Sequence, residues 1–341
     1  MEGKRIYYVD CLRVFASFLV VLIHCNFVPE NPANVIFTQA LNVIGSPSSE
    51  LFLAISGSLL LPVKTSDKIF YKKRFVRLLI PLLFWSLFGI CWNLIVHDLQ
   101  LREIPYLLFS IPFKSAIVGP YWFMYALVGM YLVAPIISPY IESASKKQIQ
   151  FLLFLWCVTL IMPYTNLIYQ GFYNTKGDFA CPLYNFSGYL GYMILGFYLR
   201  KYPLNILGGN IMQIILLYLF TLLPIVFVGY NCPEYRELVI GNLQIISAVQ
   251  VILVFTLFQK IFNQKNGITA IAQFMTNYTF GIYLIHVFVI DGLYKALGGP
   301  ERYHVCLELP FIIVAGFVLS FIIVYAFSKI RTLKRNFGVN I

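Results

Sequence analysis

The sequence predicts an all-α fold, a polytopic membrane helix bundle of about ten transmembrane helices with both termini cytoplasmic, and three observations predict it. Of its 341 residues 60% are hydrophobic and only 11% charged, whereas soluble domains carry about a quarter charged residues; mean hydropathy is +0.78. Apolar windows of about 20 residues, enough to cross a hydrocarbon core of roughly 30 Å, recur from end to end. The Lys and Arg residues between those windows fall on alternate loops, as the positive-inside rule requires.

The windows run 6–28, 43–62, 78–96, 119–139, 149–169, 183–199, 211–229, 240–259, 268–293 and 307–328. The first continues into Pro29 and Glu30 without a small-residue cleavage site, so it reads as a span and not a signal peptide. The sixth is short and Gly-rich, and losing it would reverse every later span. Residues 97–118 are too mixed to cross and are expected along the interface. In this arrangement eighteen of the 25 Lys and Arg residues face the cytoplasm, six lie opposite and Arg13 sits inside the first span. The net charge of +11 is then mostly topology. A nucleic-acid partner is not expected, because that surface would put the charge on a soluble domain with stacking aromatics. Seven Cys show no CxxC or Cys/His ligand spacing, which argues against zinc and redox motifs. Cys181, Cys232 and Cys306 fall in loops on one side, where a disulfide is open. With no repeat and no low-complexity linker, residues 1–341 read as a single domain.

Ionisable groups inside spans are costly and tend to face a bundle interior or a water-filled cavity. The first span carries Asp10, Arg13 and His24. Arg13 and His24 are eleven residues apart, which puts them on one helical face about 16 Å apart along the axis. Asp10 is within reach of Arg13 for an ion pair; alternatively both snorkel to the cytoplasmic interface. His24, His286 of the ninth span and Glu50 of the second are expected at comparable depth in the outer half. A histidine with a nearby carboxylate is the usual equipment of a general base; the competing reading is that each histidine is separately buried and hydrogen-bonded for helix packing and that Glu50 is interfacial. His97 and His304 sit at span edges and carry no expectation. Six cations stand between Lys64 and Arg77, more than orientation needs. Arg74 and Arg77, spaced i,i+3, form a forked pair suited to a phosphate, with anionic lipid headgroups as the alternative ligand.

In chain order these residues resemble the acyltransferase-3 family of bacterial multi-pass membrane acyltransferases. Asp10-Cys-Leu-Arg13 followed by His24 is similar to the family's D-x-x-R and R-x10-H pattern. Glu50-Leu-Phe-Leu-Ala-Ile-Ser56-Gly57-Ser-Leu-Leu resembles its (D/E)-x-F-F-x-x-S-G-x-L-L segment, and Phe70-Tyr-Lys-Lys-Arg74-Phe-Val-Arg77 its F-x-x-x-R-x-x-R stretch. Trp122-Phe-Met-Tyr125-Ala-Leu-Val-Gly-Met-Tyr and Thr279-Phe-Gly-Ile-Tyr283-Leu-Ile-His286 complete the resemblance. There are departures. Many polysaccharide-modifying members carry W-S-L-x-x-E where this chain has Trp122 to Ala126 and no acid, and no esterase-like domain follows the last span, so a second transfer step would need a partner protein.

The resemblance implies transfer of an acyl group, usually acetyl from acetyl-CoA, to a hydroxyl of a cell-surface glycan or glycolipid by an enzyme of the bacterial inner membrane. Acyl-CoA is then a donor substrate, with no permanently bound cofactor and no metal. His24 and Glu50 are the catalytic candidates. Asp10, Arg13, Arg74, Arg77, Trp122, Tyr283 and His286 are the substrate-binding ones, with His286 on the acceptor or the developing oxyanion. Whether His24 attacks covalently or acts as a base stays open. A transporter or flippase for a glycan or lipid intermediate would use the same intramembrane charges but calls for inverted repeats and broken helix pairs, neither of which is evident. A membrane scaffold would leave His24 and Glu50 unexplained.

Overall fold

The computed structural model describes residues 5–27, 29, 31, 34–173, 183–232, 237–330 and 336–339. Among them the regular structure is helical throughout: α1 (Tyr7–Cys25), α2 (Val35–Gly45), α3 (Ser48–Leu60), α4 (Asp67–Val96), α5 (Ile104–Ser110), α6 (Trp122–Ser143), α7 (Lys146–Tyr173), α8 (Leu190–Lys201), α9 (Ile211–Asn231), α10 (Glu237–Ile240), α11 (Ile245–Ile261), α12 (Gly267–Met275), α13 (Thr279–Leu297) and α14 (Val305–Ser328). Helix is the form that satisfies every backbone N–H and C=O without water, which is what a bilayer demands.

Among the described residues eight helical stretches, α2 and α3 counted together as Val35–Leu60, are long and apolar enough to cross a membrane, and they overlap eight of the ten expected spans. The other two are short. α11 has 17 residues, near the lower limit for a crossing. α8 has 12 residues, about 18 Å of helix, which cannot cross a core of roughly 30 Å alone. Two expected spans are also interrupted. The second is α2 and α3 separated at Ser46–Pro47, where proline lacks the N–H that would continue the ladder; the ninth is α13, set off from α12 by residues 276–278. The stretch expected along the interface contains α5, with Leu101, Tyr106, Phe109 and Phe113 all exposed. Cys232 caps α9 and Cys306 is the second residue of α14; both thiols are free, and Cys181 lies outside the described residues.

The chain forms two compact units that interleave in sequence. Unit one comprises Met1–Leu19, Val28–Pro62 and Ile137–Gln273, and unit two comprises Val20–Phe27, Val63–Ile136 and Phe274–Ile341.

Within unit one, α3 and α8 cross at backbone contact. A Cβ added to Gly57 would sit 1.8 Å from the Met193 carbonyl oxygen, and one added to Gly196 would sit 1.8 Å from that of Ala54. Glycine on both sides lets the helix backbones meet, the packing device of helices that have no hydrophobic drive towards one another. Residues 191–199 of α8 are all buried. A helix too short to cross is tolerated at membrane depth where protein surrounds it. α9, by contrast, exposes Met212, Leu216, Leu219, Phe220, Leu223 and Phe227. Their spacing makes one continuous exposed apolar stripe along the helix, the kind of surface that faces lipid.

Within unit two, α4 and α13 are joined by rings. Trp85, Phe88 and Trp92, successive turns of α4, surround Phe288 of α13 at 5.8, 4.9 and 5.7 Å. Trp85 Nε1 donates to the Asn336 carbonyl at 2.8 Å, and Phe337 packs on Trp85 at 5.1 Å and on Phe327 at 4.8 Å. The segment 336–339 is thereby held against α4 and α14.

Candidate active site

His24 and His286, 262 positions apart in sequence, meet in unit two. The rings stand 5.0 Å apart, with His286 Nε2 3.3 Å from His24 Nδ1. His24 is the penultimate residue of α1 and His286 lies in the middle of α13. Each ring places Nδ1 against a carbonyl one turn back on its own helix: Val20 O at 2.8 Å for His24, Tyr283 O at 2.7 Å for His286. A carbonyl only accepts, so both nitrogens carry the proton. His286 Nε2 is then a lone pair facing the His24 Nδ1–H, which it shares with Val20 O. That leaves His24 Nε2 as a lone pair with no partner among the described residues. A fixed tautomer with the far nitrogen open is what a general base needs.

His24 lines a cavity of about 350 Å³ together with Asn26, Phe27, Ile290, Asp291 and Tyr294. Phe27 and Tyr294 meet edge to face at 6.1 Å, and the Tyr294 hydroxyl donates to the Cys25 carbonyl at 2.6 Å, which ties α13 to the end of α1. Asp291 stands at the cavity with its Oδ2 held from α4 by Trp92 Nε1 at 2.8 Å and by His97 Nε2 at 2.9 Å.

The remaining expected site residues are dispersed. Tyr283 is buried and its hydroxyl donates to the Pro120 carbonyl at 2.6 Å; its ring lies 6.0 Å from His286, and its own carbonyl takes that histidine's Nδ1–H. Trp122 opens α6 and meets Phe123 edge to face at 6.1 Å. Asp10, expected within reach of Arg13, pairs with Arg5 at 2.7 Å. Arg13 is half-buried in the middle of α1. Glu50 is fully buried in unit one, where Oε2 accepts from Ser49 Oγ at 3.1 Å and Oε1 has no partner among the described residues. A carboxylate orients a catalytic histidine through its Nδ1–H, and at His24 that N–H is taken by Val20 O and His286. His286 commits its own Nδ1–H to the Tyr283 carbonyl.

The expected arginine fork is also divided. Ile69, Lys72, Lys73, Val76 and Arg77 share one face of α4 and line a cavity of about 420 Å³ closed by Gly338 and Val339. Arg74 is turned away from it. Its guanidinium lies 5.7 Å over the Phe70 ring, with Nε buried and unpartnered among the described residues.

The chain matches the model of the acyltransferase-3 family, described as an acyltransferase domain, over residues 6–329. It belongs to that family. No match emerges among curated proteins or solved structures. The acyltransferase-3 match covers nearly all of both units, and it makes this chain an acyltransferase, which sets the transporter and scaffold readings aside.

For this acyltransferase, sequence reasoning reached both histidines and missed Asp291, Trp92 and His97. Asp291 lay inside the expected ninth span as an intramembrane carboxylate five residues past His286, the same kind of signal that singled out His24. His97 was set aside as a span-edge residue, yet it caps α4 and holds that carboxylate.

Proposed function

We propose that this multi-pass acyltransferase moves an acyl group, acetyl first among candidates, from cytoplasmic acyl-CoA to a hydroxyl of a cell-surface glycan or glycolipid, with His24 as general base. The observation that carries the reading is the open Nε2 of His24 at the edge of a cavity, with Nδ1 fixed from behind. Nε2 takes the proton of the acceptor hydroxyl as its oxygen attacks the thioester carbonyl. The imidazolium that forms is stabilised through Nδ1–H by Val20 O and the His286 lone pair. On collapse the C–S bond breaks, the proton passes from Nε2 to the sulfur, and an ester and free CoA leave.

The donor phosphates are assigned to Arg77 with Lys72 and Lys73, which present three cations to one cavity beside apolar Ile69, Val76 and Val339.

The test is acyl transfer in membranes carrying the full chain, with labelled acetyl-CoA and product esters read by mass spectrometry. Ester formation that requires His24 supports the reading. Wild-type transfer from His24→Ala at matched protein level sinks it.

A further inference from the structure

We infer that Asp291 is the acceptor-binding carboxylate of the His24 cavity and that it selects hydroxyl-rich, sugar-like acceptors over simple alcohols. The inference rests on the proposed transfer to a hydroxyl and deepens it.

Three features carry it. First, Asp291 and His24 line the same cavity, so a molecule presenting a hydroxyl to His24 Nε2 lies within the reach of Asp291. Second, the carboxylate is built in. Trp92 Nε1 and His97 Nε2 both bond Oδ2, which fixes the plane of the group and leaves Oδ1 without a partner among the described residues. An ionised carboxylate only accepts, so Oδ1 calls for a donor, and a second hydroxyl on the acceptor is such a donor. Third, the rest of the wall suits a sugar ring. Phe27 and Tyr294 present aromatic surface, negative on its face, to C–H groups, and Tyr294 is locked by its bond to the Cys25 carbonyl. Asn26 adds an amide to the same wall. A simple alcohol fills only the reacting position; a vicinal diol on a pyranose also satisfies Oδ1.

The experiment uses membranes containing the full chain, labelled acetyl-CoA, and two probes: methyl hexopyranosides with their monodeoxy analogues, and butanol. Wild type is expected to acylate at least one glycoside well above butanol and to lose that preference on a deoxy analogue. Asp291→Asn should cut the glycoside-to-butanol ratio about ten- to a hundredfold, the usual worth of a hydrogen bond to a charged group, by raising the glycoside KM. The donor KM should hold. Trp92→Phe keeps the carboxylate and removes one of its two donors, so it should move the same ratio in the same direction by a few fold. An unchanged ratio in both variants while wild type transfers overturns the inference alone. If wild type esterifies none of the hydroxyl probes, the proposed reaction itself falls, and the inference with it.

Discussion

The contact between His24 Nδ1 and His286 Nε2, at 3.3 Å, joins two rings that each reach back to their own helix. Its chemical value is greatest when His24 carries a positive charge. His24→Ala should lower acyl transfer by about two to four decades, the range for a general base, with donor binding retained. His286→Ala removes a hydrogen bond to a transient cation, worth about 1.5–3 kcal/mol, so kcat should fall by about one to two decades while both KM values hold; equal KM and kcat effects would mean a packing role instead. The sign of the pH dependence follows from the same nitrogen. Only the unprotonated Nε2 accepts a proton, so kcat should decline as pH falls, and the decline should vanish in the residual activity of His24→Ala. On α4, Arg77→Lys keeps the charge and loses the planar fork, so the donor KM should rise, whereas Arg74→Lys should leave it near wild type because Arg74 lies outside the cationic cavity. Both histidines were legible one at a time, as ionisable groups within apolar runs. Their pairing was not, since nothing local connects positions 262 residues apart.

At the scale of elements, hydropathy located the membrane better than the helices. α4 begins at Asp67, eleven residues ahead of the window at 78, because a helix continues through Lys and Arg at the interface while an apolar average stops there. The division at Pro47 had a visible cause in the sequence, but a sliding average runs across it. The sixth window starts ahead of α8: residues 184–186 make only a 3-10 turn, and α-helix winds over Leu190–Lys201. The α3–α8 crossing yields a prediction at this scale. Gly57→Ala or Gly196→Ala forces a Cβ to 1.8 Å from a backbone oxygen, and no flexible side chain is there to yield. Overpacking typically costs about 1–3 kcal/mol and more where backbone has to move, so both variants should lose most of the monodisperse peak in size-exclusion chromatography. Gly129→Ala in α6 is the control. Its Cβ meets nothing within 4 Å, and helix propensity favours alanine there by about 0.5–1 kcal/mol.

Across the whole molecule, the charge distribution makes a prediction about sidedness. Single cysteines at Thr65 and Lys265 should react only with reagents that enter the cytoplasm, and those at Gln100 and Tyr303 with reagents applied outside. All four positions are exposed. Labelling of position 265 from outside would show that the segment holding α8, or the 17-residue α11 after it, fails to complete a crossing. That segment also has a consequence for biosynthesis. A 12-residue helix offers the insertion machinery too little apolar length to be held as a span when it emerges. Its binding surface, α3, ends at Leu60, about 130 residues earlier in the chain. α8 must therefore enter late, drawn in by a helix already in place, and until then every downstream loop stands on the wrong side. A ribosome-stalled chain ending shortly after α9 should show mixed sidedness at positions 203–210 when Gly57 is replaced by valine, and uniform sidedness when it is not.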